Sequence, residues 1–422
     1  MITFLHILVV FLLGWWWYRR DDKITVMAMG VLVAFKAVTG MLFAEYYLRT
    51  YGGGDMHNYW ADALTLRDLF NQDPVSFLRL IFLNDDSAAS VQHVLPKLQV
   101  WYDSGFRGGI NDARTVVRFH SLLALFSGGN ILVHLIWSNV LAVAGLKWMF
   151  GFFVGDEQGR GIPYGTWMLA LLPNVLLWSS PLLKEPLMLF TMGAFFESAR
   201  LLRRNFSPVN MVLLLLSMLG SILIKYFWLL LLVPGLLAYL FFPSGKRNGW
   251  GMGVMYVCCF GIVLIAGHLI PSLHLPSLLF GQQLNMWRFA VYWHAGTLID
   301  PVPFAPTDWS LIRHLPYAFV YTLVQPLPSQ VSKLPLWPMC AESIFSCILL
   351  LAALIVRVRR RAGSSFLATY GLIAGACIMI ISGFTTPVLG TLIRYRMPGL
   401  LLLLLAAVRV LRELRSSPPN IE

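Results

Sequence analysis

Residues 208–243 read PVNMVLLLLSMLGSILIKYFWLLLLVPGLLAYLFFP and carry one charge, Lys225. A run that long and apolar finds no place on a water-soluble surface. It belongs in a bilayer, where the backbone must satisfy its own N–H and C=O groups and therefore coils into helix. Similar runs recur. Apolar segments of roughly 17–25 residues, the length that crosses a hydrocarbon core, lie near 2–18, 24–45, 127–149, 162–180, 183–201, 208–224, 226–243, 249–270, 337–356, 365–384 and 397–411. They predict an all-α polytopic membrane protein of about eleven transmembrane helices, with residues 1–422 as a single integral membrane domain. The chain is 58% hydrophobic and 12% charged, where a soluble domain has about 25% charged residues.

The net charge of +12 is not the footprint of nucleic-acid binding. Its basic residues fall in short clusters between apolar runs: Arg19-Arg20, Arg200 with Arg203-Arg204, Lys246-Arg247, Arg357 with Arg359 to Arg361, and Arg409 onward. That is the positive-inside pattern, which holds such loops in the cytoplasm. Threading it through the spans puts the N-terminus outside. The loops 46–126 and 271–336 and the turns near 181–184, 225 and 385–396 then lie on the outer face. Residues 2–18 lack a basic n-region and end in WWWYRR, so they are expected as a retained span rather than a cleaved leader. Cys258, Cys259, Cys340, Cys347 and Cys377 sit in or beside apolar segments without CxxC spacing and read as small buried hydrophobes.

The first outer loop, 46–126, opens on GGGDMHNYW, residues 52–60. Met56, Tyr59, Trp60, Ala63, Leu64 and Phe70 share a helical stripe, with Asp62, Arg67 and Asp68 expected elsewhere; residues 75–83 (VSFLRLIFL) predict a second helix along the interface. The second loop, 271–336, is rich in proline and aromatics and predicts compact structure at the membrane surface. No internal repeat is evident.

Three polar constellations share the outer side in this topology. Asp55, with His57, Asn58 and Tyr59, precedes an amphipathic helix, where a carboxylate serves as an N-cap and also stays ionised for work as a base or metal ligand. Lys184-Glu185 stands in PNVLLWSSPLLKEPLMLF, at the edge of hydrocarbon, where charge is costly; it reads as a structural ion pair or as the lining of a polar cavity. Arg394-Tyr395-Arg396 precedes an apolar run. In an extended segment residues two apart share a face, which suits a shared anion, and guanidinium forks match phosphate; snorkelling to headgroups is the competing reading. Lys225 and Glu342 are further charges near span ends. His93, His120 and His294 are isolated in sequence, and Trp287, Tyr292 and Trp293 fit a sugar-stacking surface or an aromatic belt equally. P-loop, HExxH and GxSxG motifs are absent from the sequence.

In their order, "GGDMHNYW", "LPNVLLWSSPLLKEPLMLF" and "GTLIRYRMP" resemble blocks of bacterial inner-membrane proteins from polysaccharide gene clusters, and the overall plan resembles the polyprenyl-phosphate-sugar-dependent glycosyltransferases of the GT-C superfamily. The blocks cover about a tenth of the chain. In that superfamily the acidic loop follows the first span, whereas here it follows the second. The resemblance implies a membrane glycosyltransferase acting at the outer face of the bacterial cytoplasmic membrane. Asp55 would be the catalytic aspartate, and Arg394, Arg396 and Lys184 would bind the donor phosphate, with His57, Tyr59, Glu185 and Tyr395 in support. A second carboxylate is expected among Asp62, Asp103 and Asp112. A divalent ion, Mg or Mn, bridging Asp55 to the donor is compatible with that chemistry without being required by it. The partners implied are a polyprenyl-phosphate-linked sugar, a glycan, lipid or protein acceptor, and the bilayer. An O-antigen-type polymerase or ligase using lipid-diphosphate glycans is the first alternative. A non-enzymatic lipid or polysaccharide transporter is the second; repeated halves or helices broken at midplane would be its sign, and the sequence shows neither, its polar residues collecting at the outer span ends.

Overall fold

The computed structural model describes residues 2–19, 23–101, 111–156, 159, 161–242, 248–331, 336–359 and 365–416. Among these the chain is helical without strands, apart from one isolated bridge between Leu298 and Val388. In chain order the α-helices are α1 (Ile2–Tyr18), α2 (Lys23–Tyr51), α3 (Asp55–Gln72), α4 (Pro74–Leu83), α5 (Ala89–Val94), α6 (Asp112–Ser127), α7 (Ile131–Val154), α8 (Tyr164–Trp167) and α9 (Pro173–Trp178). Then follow α10 (Lys184–Arg204), α11 (Pro208–Phe241), α12 (Gly249–Leu269), α13 (Leu275–Tyr292), α14 (Asp308–Val324), α15 (Trp337–Arg359), α16 (Phe366–Thr385) and α17 (Leu389–Ser416).

Seven segments among the described residues are long and apolar enough to cross a membrane: Thr25–Tyr51, Ile131–Val154, Pro208–Phe241, Gly249–Leu269, Trp337–Arg359, Phe366–Thr385 and Leu389–Glu413. The chain is thus a multi-pass membrane protein. One of the expected spans takes another form. Residues 162–180 break into α8, a 3-10 turn and α9, because Pro163 and Pro173 each withhold a backbone N–H and open a new helix. The expected spans 208–224 and 226–243 fall on the two arms of α11, which meet at a kink where Lys225 takes non-helical φ −161°, ψ 86°.

Two compact units divide the chain, one of residues 1–170 with 176–229, the other of 171–175 with 230–422. In the first, α7 and α10 pack backbone to backbone. A Cβ on Gly145 would stand 2.1 Å from the Leu189 carbonyl oxygen, and one on Gly193 would stand 2.2 Å from that of Gly145, the close approach that small residues permit between membrane helices. In the second, α16 and α17 meet the same way at Gly375 and Gly399. There the second loop also folds in. Leu279, Val302, Phe304, Leu311, Ala318 and Phe384 form one buried cluster, and Gln283 Nε2 donates to the carbonyls of Val302 (3.0 Å) and Phe384 (2.8 Å).

Candidate functional site

The turn between α2 and α3 explains the glycines of GGGDMHNYW. Gly52 and Gly53 adopt φ +69° and +133°, which a side chain would strain, while their amides cap the carbonyls of Leu48 and Tyr47. Gly54, not Asp55, is the N-cap; Asp55 is the first helical residue and exposed. Its charge still favours the helix start. Met56 and Tyr59 are buried and seat α3. The ring of His57 is half-buried, burial lowers its basicity, and Nδ1 has no hydrogen-bond partner among the described residues.

Of the three expected second carboxylates, Asp103 lies outside the described residues. Asp62 is buried, on the same stripe as Tyr59 and Leu66 rather than away from it. It accepts from the amides of Gln99 (2.7 Å) and Val100 (3.0 Å). Burial pushes its carboxyl up against the pull of those bonds and of the Trp101 amide. Asp62 is thus a staple that fastens the 99–101 turn to α3.

Asp112 stands differently. It opens α6, whose N-cap Asn111 accepts from Ala113 and Arg114, and its Oδ2 lies 2.5 Å from Lys184 Nζ, at the first residue of α10. Burial alone would raise the Asp112 carboxyl, yet the charges of Lys184 and Lys225 and the hydrogen bonds from Lys184 and Ala113 hold it below the ordinary carboxylate range. Lys225 is buried at the interruption of α11, with Nζ 5.1 Å from the centre of the Trp228 ring and 5.5 Å from that of Phe227. Thr115 Oγ1 donates to the Leu223 carbonyl at 2.9 Å, tying α6 to the turn before that interruption. Glu185, fully buried, follows Lys184 in the first turn of α10. Arg114 and Arg118, further along α6, lie against the Trp101 ring at 5.5 and 5.6 Å.

The WSSPLL segment that delivers Lys184 is anchored by residues not singled out above. Lys36, fully buried in α2, donates to Ser179 Oγ (2.7 Å) and Ser180 Oγ (3.2 Å). Asn139 Nδ2 from α7 donates to the Ser180 carbonyl at 2.9 Å, and Gly40 lets α2 approach that carbonyl closely. The signal for Lys36 was a lone charge inside an apolar run, which marks function or a specific polar partner by default.

In the second unit α17 is helical through Arg394-Tyr395-Arg396, so the expected extended segment is corrected. On a helix, residues two apart point roughly 200° from each other, and the two arginines do not share a face. Arg394 and Tyr395 are half-buried and Arg396 is fully buried. The Arg396 fork is engaged: Nη1 donates to the carbonyls of Thr322 (3.0 Å), Leu323 (3.3 Å) and Gln325, and Nη2 to Ser343 Oγ (2.9 Å). These carbonyls end α14, so the guanidinium caps that helix. Glu342, one residue from Ser343 and buried in α15, accepts from the Asn174 amide at 2.7 Å.

Among the described residues no three His, Cys, Asp or Glu side chains are grouped to hold a metal ion. His120 and His134 do meet in the first unit, with Nδ1 atoms 3.2 Å apart and Ser127 Oγ 2.8 Å from His134 Nε2. The chain matches no family model, no curated protein and no solved structure. Its functional reading therefore rests on these residues.

Proposed function

We propose that the protein is a glycosyltransferase that moves a sugar from a polyprenyl-phosphate donor to an acceptor hydroxyl at the outer face of a bacterial cytoplasmic membrane. The observation that carries this reading is the Asp112–Lys184 ion pair where α6 and α10 begin, with Lys225 near enough for its charge to act on the same carboxylate. Two lysines and two helix starts, each worth about half a positive charge, form a seat for an anionic group beside apolar helices that would receive a prenyl tail. In the transfer, the acceptor oxygen bonds to the anomeric carbon as the carbon–phosphate oxygen bond breaks. The hydroxyl proton passes to Asp55, and polyprenyl phosphate leaves with its new charge against Lys184 and Lys225. Stabilising the departing anion is commonly the largest catalytic contribution, and the base adds ~10²–10⁴-fold. Single displacement inverts the anomeric centre. In this reading α3 and α4 lie along the interface, and the exposed Val75, Leu78, Phe82 and Leu83 of α4 face lipid.

The purified protein in lipid nanodiscs, given radiolabelled polyprenyl-phosphate sugars and a membrane glycolipid extract, is expected to transfer label. Asp55→Asn and Lys184→Gln are each expected to reduce that transfer by at least ~10²-fold. Failure to consume any donor sinks the enzyme reading. One observation favours transport instead: α11 is broken at a buried lysine, as in transporters whose interrupted helices bind substrate. Movement of a lipid-linked glycan across vesicles without donor consumption would decide for it.

A further inference from the structure

The seat for the donor phosphate is already filled by a group of the chain itself. Lys184 is the first residue of α10, where a cation is electrostatically disfavoured because the helix dipole presents its positive end. The N-cap Leu183 offers no side-chain bond there. Lys225 adds a second buried cation, held over two aromatic rings. Against these stand the Asp112 carboxylate, which reaches across from another helix to Lys184 at 2.5 Å, and Glu185, buried one residue further along in the first turn of α10. Two lysines and two helix starts outweigh two carboxylates, so the seat retains positive character after Asp112 has entered it. The Asp112 side chain is 37% exposed and that of Lys184 12%. The carboxylate therefore sits on the open side of the pair, where an incoming anion would arrive.

We propose that Asp112 is an internal stand-in for the donor's phosphate: its carboxylate occupies Lys184 while the site is empty and is displaced when a polyprenyl phosphate arrives. This rests on the lipid-phosphate reading above. It also explains why two lysines are stable there without ligand, since an uncompensated cation at the edge of hydrocarbon is costly. The displaced carboxylate, no longer beside the Lys184 ammonium, regains proton affinity, so donor binding and the acidity of the site are coupled. The arrangement separates two quantities that usually move together. Removing the Asp112 charge tightens donor binding, because a competitor is lost, while removing the Lys184 charge weakens it.

The test is direct binding of a polyprenyl monophosphate to the full-length protein in nanodiscs, by calorimetry, with inorganic phosphate in a parallel arm and thermal melting as the folding control. Asp112→Asn is expected to bind the lipid phosphate several-fold tighter than the wild type, with Asp112→Ala as a second neutral variant in case the first melts early. Lys184→Gln and Lys225→Gln are expected to bind it at least tenfold more weakly. Unchanged or weaker binding by both well-folded Asp112 variants overturns the stand-in and makes Asp112 a brace that orients Lys184. A wild type that binds no lipid phosphate overturns the donor reading and the stand-in with it. Equal affinity for inorganic phosphate would overturn the lipid-linked source, leaving a seat for free phosphate.

Discussion

Arg396 sends one end of its fork to three backbone carbonyls and the other to Ser343. Buried carbonyls left without a donor cost about 1–3 kcal/mol each, and a lysine ammonium is one point charge that cannot serve both sides of a fork. Arg396→Lys is therefore expected to lower the thermal midpoint of the purified protein while leaving polyprenyl-phosphate binding near wild type. Normal melting with weakened binding would instead give the guanidinium to the ligand. From sequence the presence of this charge was legible and its task was not. A guanidinium fork suits carbonyls at a helix end as well as phosphate, and the choice depends on the end of α14, which is remote in sequence. Asp62 repeats the lesson with a difference. It lies three residues after Tyr59 and four before Leu66, so helical spacing alone places it on the buried stripe. Its partners at 99–100 come from the tertiary fold.

At the scale of elements, the helices themselves were the most legible part, since apolar length is a property of each segment alone. Where the chain would break was less so. Prolines at 163 and 173 were visible, but their effect on residues 162–180 depends on neighbours such as Asn139 and Lys36 that pin the Ser179-Ser180 turn. That turn also fixes the start of α10, and the backbone contact of α10 with α7 holds the rest of the helix. Gly193→Ala would place a methyl 2.2 Å from the Gly145 carbonyl oxygen, so the helices must part, at a cost of about 1–3 kcal/mol for forced overpacking. The expected result is a lower melting temperature together with weaker phosphate binding, because Lys184 moves with α10. Both should be reproduced by Gly145→Ala, whose added methyl meets the opposite strip of backbone. A Gly193→Ala protein that melts and binds as wild type would show that α10 does not need α7 to position its first turn.

At the scale of the whole molecule, α11 sets charge patterning against helix geometry. The clusters Arg203-Arg204 and Lys246-Arg247 flank it, and the positive-inside rule assigns both to the cytoplasm, which requires the chain to cross twice and reverse near residue 225. Reversal between antiparallel helices takes a loop of about 2–5 residues, whereas the interruption is a single residue, Lys225, with helix on either side. At about 1.5 Å per residue each arm reaches about 25 Å, short of the ~30 Å core, whereas the two together suffice for one kinked crossing. A single kinked crossing is the arrangement we expect, because the basic bias is a modest preference and a one-residue hairpin would leave backbone groups unsatisfied in lipid. In a variant lacking the native cysteines, Phe206→Cys and Asn248→Cys are therefore expected to label from opposite sides with a membrane-impermeant maleimide in intact cells and inverted vesicles. Labelling of both from the same side would restore the two-span reading and make residue 225 a turn. The outcome bears on the site as well. A single crossing places Lys225 within the membrane's thickness, where a lipid phosphate at the boundary would reach it only if the interruption lies near one face.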